Sequence, residues 1–237
     1  MIKINTSVEF KRLIKALSDD VVDAHIHYLL YEDLSKALES HPLVAQQSKT
    51  FWTYTLQAHL NSSIYALFRV YDQNKRSLHL RSWLITIQDN LHLFDKTAFR
   101  ERLKDNPYVA SLTSDSKKPD PAELKQDIVA CSCSEPVVNK LIIYRGNRIA
   151  HRNAKLLIGT QAPSSNQALT FQDLNILLER AKTILNRYSY LFEASVYSTK
   201  IVGRDDYNCI FMAVEEKVNL AQLQRDLLAQ RATEQAN

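Results

Sequence analysis

Glycine sets the narrowest limit on this chain: its 237 residues include three, Gly146, Gly159 and Gly203. No pair is close enough to write a G-x-G-x-x-G turn or a P-loop, so no glycine-rich cradle can hold a phosphate. No pair is four apart, which removes the G-x-S-x-G nucleophile elbow. Tight hairpins draw on glycine too, so sandwiches and barrels are disfavoured. Pro42, Pro107, Pro119, Pro121, Pro136 and Pro163 leave long stretches in which nothing need interrupt a helix. With 45% hydrophobic and 24% charged residues, the chain is expected to be all-α and globular, a helical bundle with additional peripheral N- and C-terminal helices.

The first twenty residues, MIKINTSVEFKRLIKALSDD, lack an uninterrupted apolar core, so no secretory signal is expected there. No apolar run approaches the roughly 20 residues of a membrane helix, and no membrane association is expected. Cys131, Cys133 and Cys209 make an odd count without a framework, which fits a reducing, cytoplasmic setting. The formal charge of +4 permits nucleic acid as a partner without demanding it.

Apolar periodicity divides the chain as follows. Ser7–Ser40 reads as one long or two shorter helices, broken at His41–Pro42. The segment 43–72 carries a continuous stripe through Trp52, Leu56, Leu60, Ile64, Leu67, Phe68 and Tyr71, read as core. Arg69 and Asp72, three apart, are expected to form a local ion pair. A helix follows Ser77, and a short charged one spans 95–104. The run SLTSDSKKPDP (111–121) is expected to be a polar surface connection. A helix begins near Pro121, bends at Pro136 and continues into VVNKLIIYRGNRIAHRN, and Thr170 caps another. A final helix runs from beyond Gly203 to about Gln230, and 231–237 is expected to be disordered. The whole, 1–237, is expected to form a single helical domain.

Metal chemistry finds no ligand pattern. His25 and His27 are two apart, about 200° around a helix, so they cannot chelate one ion. Cys131-x-Cys133 has the same defect, and zinc would need further ligands at a recognisable spacing. No metal and no cofactor are expected.

The informative stretch is YRGNRIAHRN, Tyr144 to Asn153. Between Pro136 and Gln172 there is no Asp or Glu, while Lys140, Arg145, Arg148, Arg152 and Lys155 give the window a local charge of +5. Positive potential is thus concentrated where a polyanion would feel it. On a continuous helix Arg145, Arg148 and Arg152 fall within roughly 60° of one another, with His151 about 120° from Arg145. Arginine forks bind phosphate bidentately and stabilise charge developing on phosphorus. A histidine titrating near neutrality can take a proton from a ribose 2′-OH or give one to a leaving oxygen. These residues fit phosphodiester cleavage without a metal, and a symmetric dimer would supply both proton-transfer groups. The rival structural reading is that basic residues near a helix C-terminus simply complement its dipole.

Arg145 followed by five residues and His151 matches the R-x(4–6)-H signature, and RGNRIAHRN resembles the motif of the AbiU-type abortive-infection branch of HEPN domains. Upstream, FWTYTLQAHLNSSIYALFRVYDQNKRSLHLRSWL (51–84) resembles the same branch's second block. Its features are an aromatic start, a helix ending in Arg-x-x-Asp (Arg69, Asp72), a polar turn and a Ser-Leu helix start. The resemblance is strongest over 51–153. It implies a HEPN-like bundle, usually dimeric, with the Arg–His motifs of two copies meeting in a cleft. It also implies metal-independent endoribonuclease activity in phage defence or a toxin–antitoxin system, with RNA and an antitoxin or defence protein as partners. On that resemblance Arg145 clamps phosphate and His151 is the acid/base. Asn147, Arg148 and Arg152 support them, and Lys140 and Lys155 extend the phosphate-binding surface.

The sequence departs from the family pattern at two places. Gly146 stands where a polar residue usually follows the arginine. Asn153 stands where some branches carry a tyrosine open to nucleotidylation, so that mode of regulation has no target here. Gly146 keeps open an alternative, a non-catalytic module that binds RNA, nucleotide or a protein partner.

Overall fold

The computed structural model describes residues 2–115, 118–146, 158, 168–200 and 202–236. Among the described residues there are ten α-helices, one 3₁₀ turn (Leu91–Phe94) and no strand. The helices are α1 (Ser7–Ser40), α2 (Pro42–Gln47), α3 (Lys49–Val70), α4 (Leu80–Asp89), α5 (Lys96–Arg102), α6 (Val109–Asp115), α7 (Pro121–Ala130), α8 (Pro136–Tyr144), α9 (Phe171–Glu193) and α10 (Tyr207–Ala236). Among them no helix is long and apolar enough to cross a membrane.

Local chemistry explains most boundaries. Ahead of α1, Glu9 Oε2 accepts the Asn5 and Thr6 N–H groups while Thr6 Oγ1 accepts Glu9 N–H, a capping box. α1 is a single helix of 34 residues. Pro42 opens α2, but the helical signal over 43–72 is interrupted: Ser48 leaves helical geometry at φ −140° and ψ 45°. His79, rather than Ser77, caps α4, its ring nitrogen accepting Ser82 N–H while Ser82 Oγ accepts His79 N–H. Pro136 starts a new helix in place of bending an old one, since a missing N–H is harmless in the first turn. Thr170 and Asp173 form the capping box of α9.

Two expectations are corrected. Residues 111–115 are helical, within α6. Thr113 Oγ1 donates to Val109 O at 2.6 Å, and Asn106 Oδ1 accepts Tyr108 N–H at 2.9 Å ahead of the first turn. The helix of 207 onward continues through Ala236 rather than ending near 230, and Thr233 Oγ1 bonds back to Ala229 O. Gly203 turns the chain before it at φ +73°, a conformation that favours glycine.

The chain divides into two compact units, Met1–His25 with Ser63–Thr199, and Ile26–Ser62 with Lys200–Asn237. In the first unit Phe10, Trp83, Phe94 and Phe192 make an aromatic core, with Phe10 edge-on to Phe192 at 4.8 Å. Buried Tyr71 donates its hydroxyl to Leu177 O at 2.7 Å. Arg102 lies 3.9 Å from the Phe192 ring centre and donates to Phe192 O. In the second unit Leu34, Leu38, Val44, Trp52 and Phe211 form a separate cluster. The Trp52–Tyr71 stripe is core, as its periodicity indicates.

Candidate functional site

α8 explains where Arg145 sits. Its run PVVNKLIIY buries Val138 and Leu141 completely and leaves the polar side of the helix outward. Tyr144, in its last turn, stacks on Phe68 of α3 with ring centres 6.5 Å apart. Arg145 itself keeps right-handed helical angles, and its N–H bonds Ile142 O and Leu141 O. The guanidinium therefore leaves from a packed helix end, where a cation is favoured by the helix dipole.

The partner of that guanidinium is Asp72, 73 residues earlier in sequence. Arg145 Nη1 donates to Asp72 Oδ1 at 3.2 Å, with side chains 44% and 19% exposed. Asp72 Oδ1 also accepts Gln73 N–H at 2.8 Å and Asn74 N–H at 3.3 Å. Burial alone would raise its pKa. Hydrogen bonds from Ser77 and from these two N–H groups, with the Arg145 charge, outweigh burial and hold the carboxyl below its ordinary value. Asp72 is thus a fixed anion that aims the arginine.

This overturns the expected Arg69–Asp72 pair. Arg69 reaches back to α1 and donates through Nε to Asp20 at 2.6 Å. The two residues close one helix but serve different neighbours.

Lys140 also has a structural task. Its Nζ lies 3.1 Å from both oxygens of Asp173, the acidic member of the α9 capping box. Burial would raise the Asp173 pKa, and bonds from the Thr170 N–H, the Thr170 hydroxyl and Lys140 bring it below the ordinary value. Of the five cations in the carboxylate-free window, Lys140 and Arg145 therefore each contact a carboxylate lying outside it. The other proposed contacts, Asn147, Arg148, Arg152 and Lys155, lie outside the described residues, as does His151.

Gly146 is described, and it is not demanded by the backbone. Among the described residues a Cβ added there would meet nothing within 4 Å, and the φ of Gly146 is not in the left-handed region. No described residue stands in the way of a side chain at this position.

The remaining candidates for metal or nucleophile chemistry resolve into structure. His25 is buried, and its Nδ1 is 2.9 Å from Val21 O, so that nitrogen carries the proton. His27 pairs instead with His59, Nδ1 to Nδ1 at 2.9 Å. Burial, and then the neighbouring His27, lower the His59 pKa. Cys131 is buried, with its thiol pushed up to about 12 chiefly by desolvation, whereas Cys133 is exposed. Among the described residues no group of three or more His, Cys, Asp or Glu is placed to hold a metal ion. Glu215 Oε1 accepts from His41 Nδ1 at 2.8 Å.

Asp72 is the residue that sequence reasoning placed in the wrong pair, and the signal for it was the Arg-x-x-Asp element itself. No curated protein and no solved structure matches the chain. The family model that matches is that of the HEPN family AbiU2, and it spans residues 7–210. A chain matched over that span, with this all-α architecture, belongs to the AbiU2 family of HEPN domains.

Proposed function

We propose that the protein is a metal-independent endoribonuclease that cleaves RNA through Arg145 and His151 at a homodimer cleft, in phage defence or a toxin–antitoxin system of the cytoplasm. The reading treats residues 1–237 as one HEPN-like domain, since the family match runs through both compact units. The observation that carries it is the half-exposed Arg145 guanidinium, aimed from a packed helix end by a single contact to Asp72 among the described residues. One engaged N–H leaves a planar fork of donors suited to two phosphate oxygens.

In the reaction a ribose 2′-oxygen forms a bond to phosphorus as the bond to the 5′-oxygen breaks. His151 of one copy accepts the 2′-OH proton, and His151 of the other gives one to the 5′-oxygen. Arg145 stabilises the charge on the phosphoryl oxygens between these events. Arg148, Arg152, Lys155 and Asn147 extend the backbone contact, and Lys140 stays with Asp173. An antitoxin or defence protein would cover the same face. RNA cleavage in EDTA, lost in His151→Ala, is the expected result. Equal cleavage by both proteins, or a strict metal requirement, contradicts the reading.

Gly146 favours a second reading, a HEPN module that binds RNA or a protein partner without cutting. Salt-dependent RNA binding that survives His151→Ala, with no cleavage under any condition, would establish it.

A further inference from the structure

The outward side of α3 carries an aromatic ring near the Arg145–Asp72 pair. Tyr65 stands off the buried stripe and is 46% exposed. Its ring packs edge-on with buried Phe68, the centres 6.4 Å apart at an angle of 67°. Phe68 stacks in turn with Tyr144, the residue before Arg145. Tyr65, Arg69 and Asp72 are four and then three residues apart, so they follow one another along one side of the helix end. The helix stays bonded to that point, since Tyr71 N–H reaches Leu67 O at 2.9 Å. At the helical rise per residue, Tyr65 lies roughly 10 Å along the axis from Asp72. That span is short enough for neighbouring nucleotides of one strand.

The charge pattern identifies what suits this side. From Ser40 to Tyr71 the sequence has no Asp or Glu. It is a second carboxylate-free stretch, and Phe68 against Tyr144 joins it to the first. Asp72, the first anion after it, contacts Arg145, and Asp20, which meets α3 from α1, is bonded to Arg69. A phosphodiester strand that leaves Arg145 toward Tyr65 therefore meets no carboxylate belonging to α3. A half-exposed ring held by a buried one presents area at little further cost in side-chain freedom. Unpaired bases stack on such rings whatever their sequence, because every base has a π-face. Bases in a duplex are already stacked on each other and cannot do so.

We propose that Tyr65 is a base-stacking subsite for RNA: an unpaired base next to the phosphate held by Arg145 stacks on its ring. The inference rests on the RNA-binding part of the function proposed above, and not on cleavage or on the pairing of two copies.

Equilibrium binding of a labelled single-stranded RNA oligonucleotide to the full-length chain tests it, in EDTA and in a His151→Ala background that keeps the RNA whole. Adding Tyr65→Ala should weaken binding about tenfold, with helix content unchanged by circular dichroism. The slope of log affinity against log salt should stay the same, since no phosphate contact is lost. Tyr65→Trp should bind as tightly as Tyr65, and a duplex of the same sequence should bind equally with and without the ring. Equal single-strand affinity for Tyr65 and Tyr65→Ala, an equal loss for the duplex, a changed salt slope, an equal loss in Tyr65→Trp, or no binding of the single strand at all overturns the proposal. Cleavage is scored separately with His151 intact. Binding that needs Tyr65, with no RNA cut, leaves the stacking subsite standing and contradicts the nuclease. Cleavage with an unchanged KM in Tyr65→Ala does the reverse.

Discussion

Asp72 decides how Arg145 is presented, and its own ionisation makes that contribution testable. Its pKa is lowered in the folded chain despite burial, because Ser77, two N–H groups and Arg145 favour the carboxylate. A depressed folded pKa means stability that is fully present above the unfolded value, about 4, and lost as pH falls through the folded one. The urea-midpoint difference between wild type and Asp72→Asn should therefore be constant from pH 5 to 8 and shrink below about pH 4. A difference that grew on acidification would contradict the assignment. Asp72→Ala should also reduce RNA cleavage by about tenfold, since a misaimed group loses orientation. Gly146 directly follows this arginine, and among the described residues nothing lies within 4 Å of a Cβ added there. Gly146→Ala should raise stability by about 0.5–1 kcal/mol, because glycine in helical geometry loses more backbone entropy than alanine. The melting temperature of the variant checks this. Cys131, buried and pushed up to about 12, should resist thiol reagents in the native protein at pH 8, while exposed Cys133 and Cys209 react.

At the scale of elements, signals carried by neighbouring residues were legible and those carried across space were not. Thr170 and Asp173 announce the α9 start because a capping box is written within four residues. Trp52, Leu67 and Tyr71 reveal the buried side of α3 by their spacing alone. α6 is not legible in the sequence because Ser111, Thr113 and Ser114 have turn chemistry, yet the Thr113 and Ser114 hydroxyls bond carbonyls of the helix itself, Val109 O and Ser111 O. The Arg69–Asp72 pair was misread because proximity in sequence suggested a contact that Asp20 and Arg145 each satisfy better. Lys140 was counted as part of a basic window, since counting charge inside a window misses the carboxylate just past it. Lys140→Met should cost about 0.5–1.5 kcal/mol through the Asp173 cap, and leave RNA affinity and its salt dependence unchanged. A filter-binding salt titration distinguishes this from a phosphate contact, which would reduce the slope.

For the whole molecule, the all-α class followed from scarce glycine, and HEPN membership from two short blocks in order. The pairing of Arg145 with a residue from the end of α3 required the fold. Residues 51–84 and 144–153, the blocks that carry the resemblance, meet through Phe68 against Tyr144 and Asp72 against Arg145. That meeting gives the Arg-x-x-Asp element a physical reason: it supplies the anion that holds the motif arginine. The proposed RNA-cleaving function rests on this arrangement, and the chemistry of the cut ends tests it most directly. Labelled RNA should be cut in EDTA to fragments ending in 2′,3′-cyclic phosphate and beginning with 5′-OH, and Arg145→Ala and His151→Ala should each abolish those products. Fragments carrying 5′-phosphate, or the same products at undiminished rate from His151→Ala, would contradict it.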